Sequence, residues 1–143
     1  MKPEDCIFFQ LAKASQQGIK YWNQKVSCLG VTAVQAMVLN FLGREDRISS
    51  RTLGRRTELD SATLTGILDR LEAGGLVERR PNPNDRRSIR IFLTDKGRQT
   101  ALDIRKLVKK ANTSFLRSLS ADEVKNLKSL LERIRIQDAL HEA

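Results

Sequence analysis

The chain has little with which to do covalent chemistry. Two cysteines and one histidine stand among 143 residues, and that histidine, His141, lies near the C-terminal end. No Cys/His metal cluster and no histidine-based catalytic set can be assembled from them within one chain. Cys6 and Cys28, if carried on one continuous helix, lie about 33 Å apart at 1.5 Å per residue. A disulfide requires Cα atoms within about 7 Å, so both thiols are expected to stay free, as in a reducing compartment. No nucleophile with its base and no Gly-rich phosphate loop at a strand-to-helix turn is present, so neither an enzyme nor a cofactor is expected. Long apolar runs are missing too. The N-terminal MKPEDCIFFQLAK carries Glu4 and Asp5 and only a short apolar stretch, which excludes a signal peptide or membrane span and leads to the expectation of a cytoplasmic protein without a membrane partner. There is no internal repeat or low-complexity segment.

Aromatics make up only 5% and prolines number three, against 40% apolar residues, the balance of a helix-rich globular protein. The length suits a single domain spanning 1–143 with a core of its own. What the chain has in excess is positive charge: 26 Lys and Arg face 17 Asp and Glu, a net +9, which favours a polyanionic partner.

The apolar spacing lays out six helices and a hairpin. Ile7, Phe8, Leu11, Ala14, Gly18, Trp22 and Val26 recur at helical intervals and predict a long first helix from Glu4 to about Ser27. Thr32 then caps a second helix striped by Val34, Met37, Val38, Phe41 and Leu42, with Gly43 as its stop. Ser49 or Ser50 caps a short third helix through Arg56. Asp60 caps a fourth from Ser61 to Ala73, where Leu64, Ile67, Leu68 and Leu71 share one face and Gly74 and Gly75 supply the ending. At 100° per residue Ala62, Thr65, Gly66 and Asp69 point the other way, with Thr63 and Arg70 on a flank. Small hydrogen-bonding residues there would let the helix approach base edges closely; a merely solvated surface would read the same way.

Next come two strand-like runs, Leu76 to Arg80 and Ser88 to Leu93, around Pro81, Asn82, Pro83, Asn84 and Asp85, which predict a hairpin with a long tip. Ile89, Ile91 and Leu93 alternate as in a half-buried strand. Arg79, Arg80, Arg86, Arg87 and Arg90 crowd the strand ends and tip, a projecting basic hairpin suited to a phosphate-lined groove. Thr94 caps a fifth helix to about Ser118, with Ala101, Ile104, Val108, Ala111 and Phe115 on its apolar face and Arg105, Lys106, Lys109 and Lys110 on a face that reads as solvated. Ser120 and Glu123 form a capping box for a last helix with Val124, Leu127, Leu130, Leu131 and Ile134 inward.

Three short helices followed by a hairpin give a mainly α fold with a small β wing: a winged helix-turn-helix core over 31–97, flanked by helices 4–29 and 98–140 expected to dimerise. A homodimer would match the two-fold symmetry of a palindromic site; the other reading is a monomer with its long helices folded over the core. Used for protein contacts instead, the same module would bind duplex DNA without a salt-dependent slope.

The run LDSATLTGILDRLEAGGLVERRPNPNDRRSIRIFLTDKG closely resembles the core of the MarR family of transcription regulators. The likeness lies in Thr63 and Thr65 of the fourth helix, Leu71-Glu72, Gly75-Leu76-Val77, Asp85 and Arg87 at the hairpin tip, and Leu93-Thr94. It implies a homodimer binding pseudopalindromic promoter DNA, usually as a repressor and often released by a small molecule or an oxidant. Carried over by position, it implies base-edge or phosphate contacts from Ser61, Thr63 and Thr65, wing contacts from Arg86 and Arg87, and Asp85 holding the tip by pairing with an arginine. Arg70 joins the DNA-binding set, with Arg51 as a further phosphate contact. Gly66 departs from the many relatives that carry Arg there. Tyr21 and Trp22 are candidates for an effector pocket accepting a small aromatic or phenolic ligand, or alternatively dimer core. Cys6 invites comparison with the oxidant-sensing branch, since a thiolate gains from a helix N-terminus, although Glu4 and Asp5 oppose its ionisation.

Overall fold

The computed structural model describes residues 1–136, so His141 and the expected helical stretch 137–140 lie outside the described residues. Its elements are α1 (Ile7–Val26), α2 (Ala33–Arg44), α3 (Ser50–Thr57), α4 (Ser61–Ala73), β1 (Val77–Asn82), β2 (Asp85–Leu93), α5 (Asp95–Phe115) and α6 (Ala121–Ile136). Short 3-10 turns at Pro3–Asp5 and Ser27–Leu29 flank α1, which therefore starts later than expected, with Cys6 at its N-cap.

Side chains fix the helix starts by accepting otherwise orphaned backbone N–H groups. Thr32 and Gln35 cap α2 reciprocally, Ser49 accepts from the Thr52 N–H, and Ser120 and Glu123 close the box on α6. Gly30 and Gly75 take left-handed φ values of 68° and 70° at chain reversals, where a Cβ would be strained. Gly43 does not end α2. It sits inside the helix, where a Cβ would lie 3.0 Å from the Ala101 Cβ of α5. Its role is close helix packing, reinforced by Arg105 of α5 donating to its carbonyl at 2.8 Å.

The chain forms two compact units, Met1–Lys109 and one that begins at Lys110, where length alone suggests one domain. The first holds the core. Val26, Val38, Leu39, Leu42, Leu53, Leu71, Ile91 and Ile104 are fully buried, joining the end of α1 to α2, α3, α4, the hairpin and the start of α5. Leu64, Ile67, Leu68 and Leu71 of α4 all enter it. In the second unit α6 buries no residue. Leu130, Leu131 and Ile134, expected from the sequence to point inward, are 52%, 40% and 45% exposed; their stripe is broader than the surface their own unit offers.

The hairpin pairs Val77 with Leu93, Arg79 with Ile91 and Pro81 with Ile89, then shifts register so that Asn82 meets Asp85. Only Pro83 and Asn84 are left for the tip, which is shorter than the residue types suggest. Pro81 costs little because a two-stranded ribbon has open outer edges and a proline there breaks no ladder bond. Asn82 Oδ1 accepts the Asn84 N–H at 3.1 Å and Asp85 Oδ1 the Arg87 N–H at 3.0 Å, local bonds that tighten the turn. Ile91 and Leu93 are buried while Ile89 is 44% exposed, because the ribbon has left the core by that point. At its base β2 is held from the other edge: the Ile91 N–H donates to the Ile48 carbonyl and the Leu93 N–H to Asp46 Oδ1, both at 2.9 Å. The helices α2, α3 and α4 with this ribbon constitute a winged helix-turn-helix.

Candidate nucleic-acid interface

The outward surface of α4 is set by its cap. Asp60 accepts the Thr63 N–H at 2.8 Å through Oδ1 and the Thr63 hydroxyl at 2.9 Å through Oδ2. These bonds, the backbone one first, hold the Asp60 carboxyl below the usual aspartate range because each favours the charged form. The Thr65 hydroxyl donates to the Ser61 carbonyl at 2.7 Å. Both threonines have therefore committed their O–H, and each retains an oxygen that can accept and a methyl group. Ser61, Thr63, Thr65 and Arg70 are exposed. A cleft of about 480 Å³ between α3 and α4 brings Arg51 and Arg55 beside Ser61 and Thr65 over a floor of Leu64 and Leu68. Arg51 thus lies with the α4 residues, as expected, whereas Arg70 does not border that cleft.

The five arginines of the hairpin divide by role. Arg79 faces α4 rather than solvent: its Nη2 lies 2.5 Å from Asp69 Oδ1 and 3.1 Å from Glu72 Oε1, and its own N–H donates to Glu72 Oε2 at 3.0 Å. The guanidinium, then the backbone N–H, hold the Glu72 carboxyl below its ordinary value. Arg80 pairs with Glu78 at 2.5 Å and lies 4.4 Å from the centre of the Phe92 ring. Arg90 is half-buried where β2 bridges to Ser49. That leaves Arg86 and Arg87, exposed near the tip and engaged by no ion pair among the described residues. Asp85 supports the tip through the Arg87 backbone N–H, not by the expected ion pair with an arginine side chain. Its carboxylate is two residues from that N–H, and the turn satisfies it locally.

Three features of this region do not show in the sequence pattern. Asp46 ties the α2–α3 connection to the wing base, accepting from the Arg47 and Leu93 N–H groups while its other oxygen lies 3.5 Å from Arg98. Arg79, one of a run of apparently phosphate-facing charges, is a structural ion-pair partner. Gly97 in the first turn of α5 lies so close to the Leu76 carbonyl oxygen that a Cβ would overlap it; a glycine one turn into a helix, after a capping Thr-Asp, is the signal that could expose it. Elsewhere, half-buried Trp22 packs against the core and half-buried Tyr21 carries the Lys25 ammonium 5.1 Å above its ring. Cys6 is half-buried and free, and Cys28 is exposed and free. No group of three metal-ligating side chains occurs among the described residues, and no single helix there is long and apolar enough to cross a membrane.

Residues 29–88 match the model of the MarR family. The multiple antibiotic resistance protein MarR of Escherichia coli K12 is 34% identical over 121 residues, covering 84% of this chain and 84% of that protein. The chain belongs to the MarR family. Among solved structures it is similar to a cysteine-to-serine mutant of E. coli MarR complexed with operator DNA, at a TM-score of 0.82 and 32% identity over 87% of this chain and 90% of that one. It is also similar to the PcaV transcriptional regulator of Streptomyces coelicolor in complex with its natural ligand, at 0.87 and 29% identity over 94% and 95%. As a MarR family member the chain is a DNA-binding transcription regulator with a winged-helix fold, not an enzyme.

Proposed function

We infer that the protein acts in the cytoplasm as a homodimer on a pseudopalindromic promoter site, as a repressor released by a small ligand. The observation that carries the DNA reading is the division among the wing arginines: Arg79 is spent in fastening β1 to α4, while Arg86 and Arg87 stand exposed beyond it. A rigidly mounted helix with a free basic tip suits one groove for α4 and the neighbouring backbone or minor groove for the wing. In this reading Ser61, Thr63 and Thr65 meet base edges or phosphate, Arg51, Arg70 and Arg86 meet phosphate, and Arg87 reaches the minor groove.

The dimer is supported by the apolar residues that the chain leaves in water. Ile7, Phe8 and Ile19 on α1 are 56%, 78% and 55% exposed, and Leu130, Leu131 and Ile134 on α6 are comparably bare. Burial against a second copy would remove that surface. For the effector, the support is the ligand-bound state of PcaV, with Tyr21 and Trp22 as the aromatic residues offered to a phenolic molecule. The deciding experiment is selection of bound fragments from the source genome. It should return a two-fold-related motif with half-sites about 10 base pairs apart; recovery of fragments without any shared motif would remove the operator reading.

A further inference from the structure

The face that α4 turns outward has a glycine at its centre, and the fold has no use for it. Gly66 lies in the middle of a regular helix with no positive φ, and a Cβ built on it would meet nothing within 4 Å. Gly43, by contrast, is packed on Ala101, Gly97 lies on a backbone carbonyl, and Gly30 and Gly75 adopt left-handed turns. A glycine inside a helix weakens it relative to alanine. Gly66 therefore costs stability without returning any to the folded chain.

Its surroundings say where the return is made. At 100° per residue Gly66 is flanked by Ala62 and Arg70, then by Thr63 and Asp69. The Thr63 hydroxyl is already donated to Asp60, and the charge of Asp69 is answered by Arg79 at 2.5 Å. What stands at the centre of this face is bare backbone, with the methyl groups of Ala62 and Thr63 one turn before it and the exposed Arg70 one turn after it.

We propose that Gly66 is a specificity-determining residue: its missing side chain seats α4 against the floor of the major groove, where Ala62 and the Thr63 methyl pack on a thymine 5-methyl group. The proposal rests on α4 being the helix that enters the groove. Apolar contact with the thymine methyl is the means by which small side chains read a T·A pair. In this chain a side chain at 66 would come between the helix backbone and those bases; the Arg that many relatives carry there would meet DNA through its own guanidinium instead.

The test compares the wild-type chain with Gly66→Ala on the selected operator, on a random duplex of equal length, and on the operator with deoxyuridine replacing each thymidine in turn. Gly66→Ala should raise Tm by about 2–5 °C and lower the ratio of operator to random-duplex affinity by about tenfold or more. Removing one thymine methyl should weaken the wild type by about threefold or more and leave the variant unaffected. A variant with the wild-type affinity ratio, a variant of lower Tm, or a wild type indifferent to every deoxyuridine overturns the role of Gly66. A wild-type chain that prefers no duplex over random DNA overturns the groove reading of α4 and this proposal together.

Discussion

Gly97 occupies a place where a single methyl group would strike the main chain. The Leu76 carbonyl oxygen, which also accepts the Thr94 N–H at 3.1 Å, stands within overlap distance of its absent Cβ. Backbone cannot rotate out of the way as a side chain can, so Gly97→Ala must shift the start of α5 or the entry to β1. Equilibrium urea unfolding should report a loss of about 2–4 kcal/mol. Arg87 makes the opposite kind of contribution, being exposed and outside any ion pair among the described residues. Arg87→Ala should leave Tm unchanged within a degree or two, weaken binding to all duplexes, and reduce the slope of log affinity against log salt by about one. An unaltered slope would take Arg87 out of the phosphate contacts. Asp60 connects this scale to the next. Its carboxyl sits below the ordinary range because Thr63 donates to it, so its stabilisation is complete above the unfolded value of about 4 and is lost as pH falls through the lower folded value. Asn caps a helix nearly as well and does not titrate. Thermal melts of the wild type should therefore fall towards, or below, those of Asp60→Asn only under about pH 4.

At the scale of elements, what is legible in the sequence is what depends on near neighbours. The caps at Thr32 and Asp60, the Ser120–Glu123 box and the Leu64, Ile67, Leu68, Leu71 stripe, which needs only a 3.6-residue period, appear as expected; the structure adds the partners of the first two, Gln35 and Thr63, each three residues on. The role of Arg79 is not legible because its partners Asp69 and Glu72 belong to another element and meet it only once the chain turns at Gly74 and Gly75. Asp46 is hidden for the same reason, since its bond to Leu93 spans 47 residues. The tip is shorter than expected because turn-forming residue types mark where a strand is disfavoured, not where a ribbon with open edges still tolerates them. The fastening by Arg79 has a measurable effect. Glu72→Gln keeps the shape but loses the charge that holds the guanidinium and accepts the Arg79 N–H. Hydrogen exchange across Val77–Asn82 should quicken in this variant, and operator affinity should drop about threefold to tenfold although Glu72 is assigned no DNA contact.

At the scale of the molecule, assembly is legible only indirectly. The apolar stripes of α1 and α6 are visible in the sequence, yet a stripe has the same spacing whether it is covered by its own chain or by another. Leu130, Leu131 and Ile134 keep about half of their surface exposed. If a second copy covers them, Leu130→Glu with Ile134→Glu should shift sedimentation from dimer to monomer and abolish tight operator binding while leaving the winged-helix unit folded. A double variant that still sediments as a dimer would place the interface elsewhere.

The Asp69–Arg79–Glu72 fastening turns the helix and the wing into the two jaws of a calliper with a fixed gap. A calliper does not adapt to what it measures. On the proposed binding mode, operators whose grooves already match that gap would be gripped with least deformation, and others would have to bend or narrow, most cheaply at flexible pyrimidine–purine steps. Part of the choice of promoter would then be made by base pairs that no side chain touches.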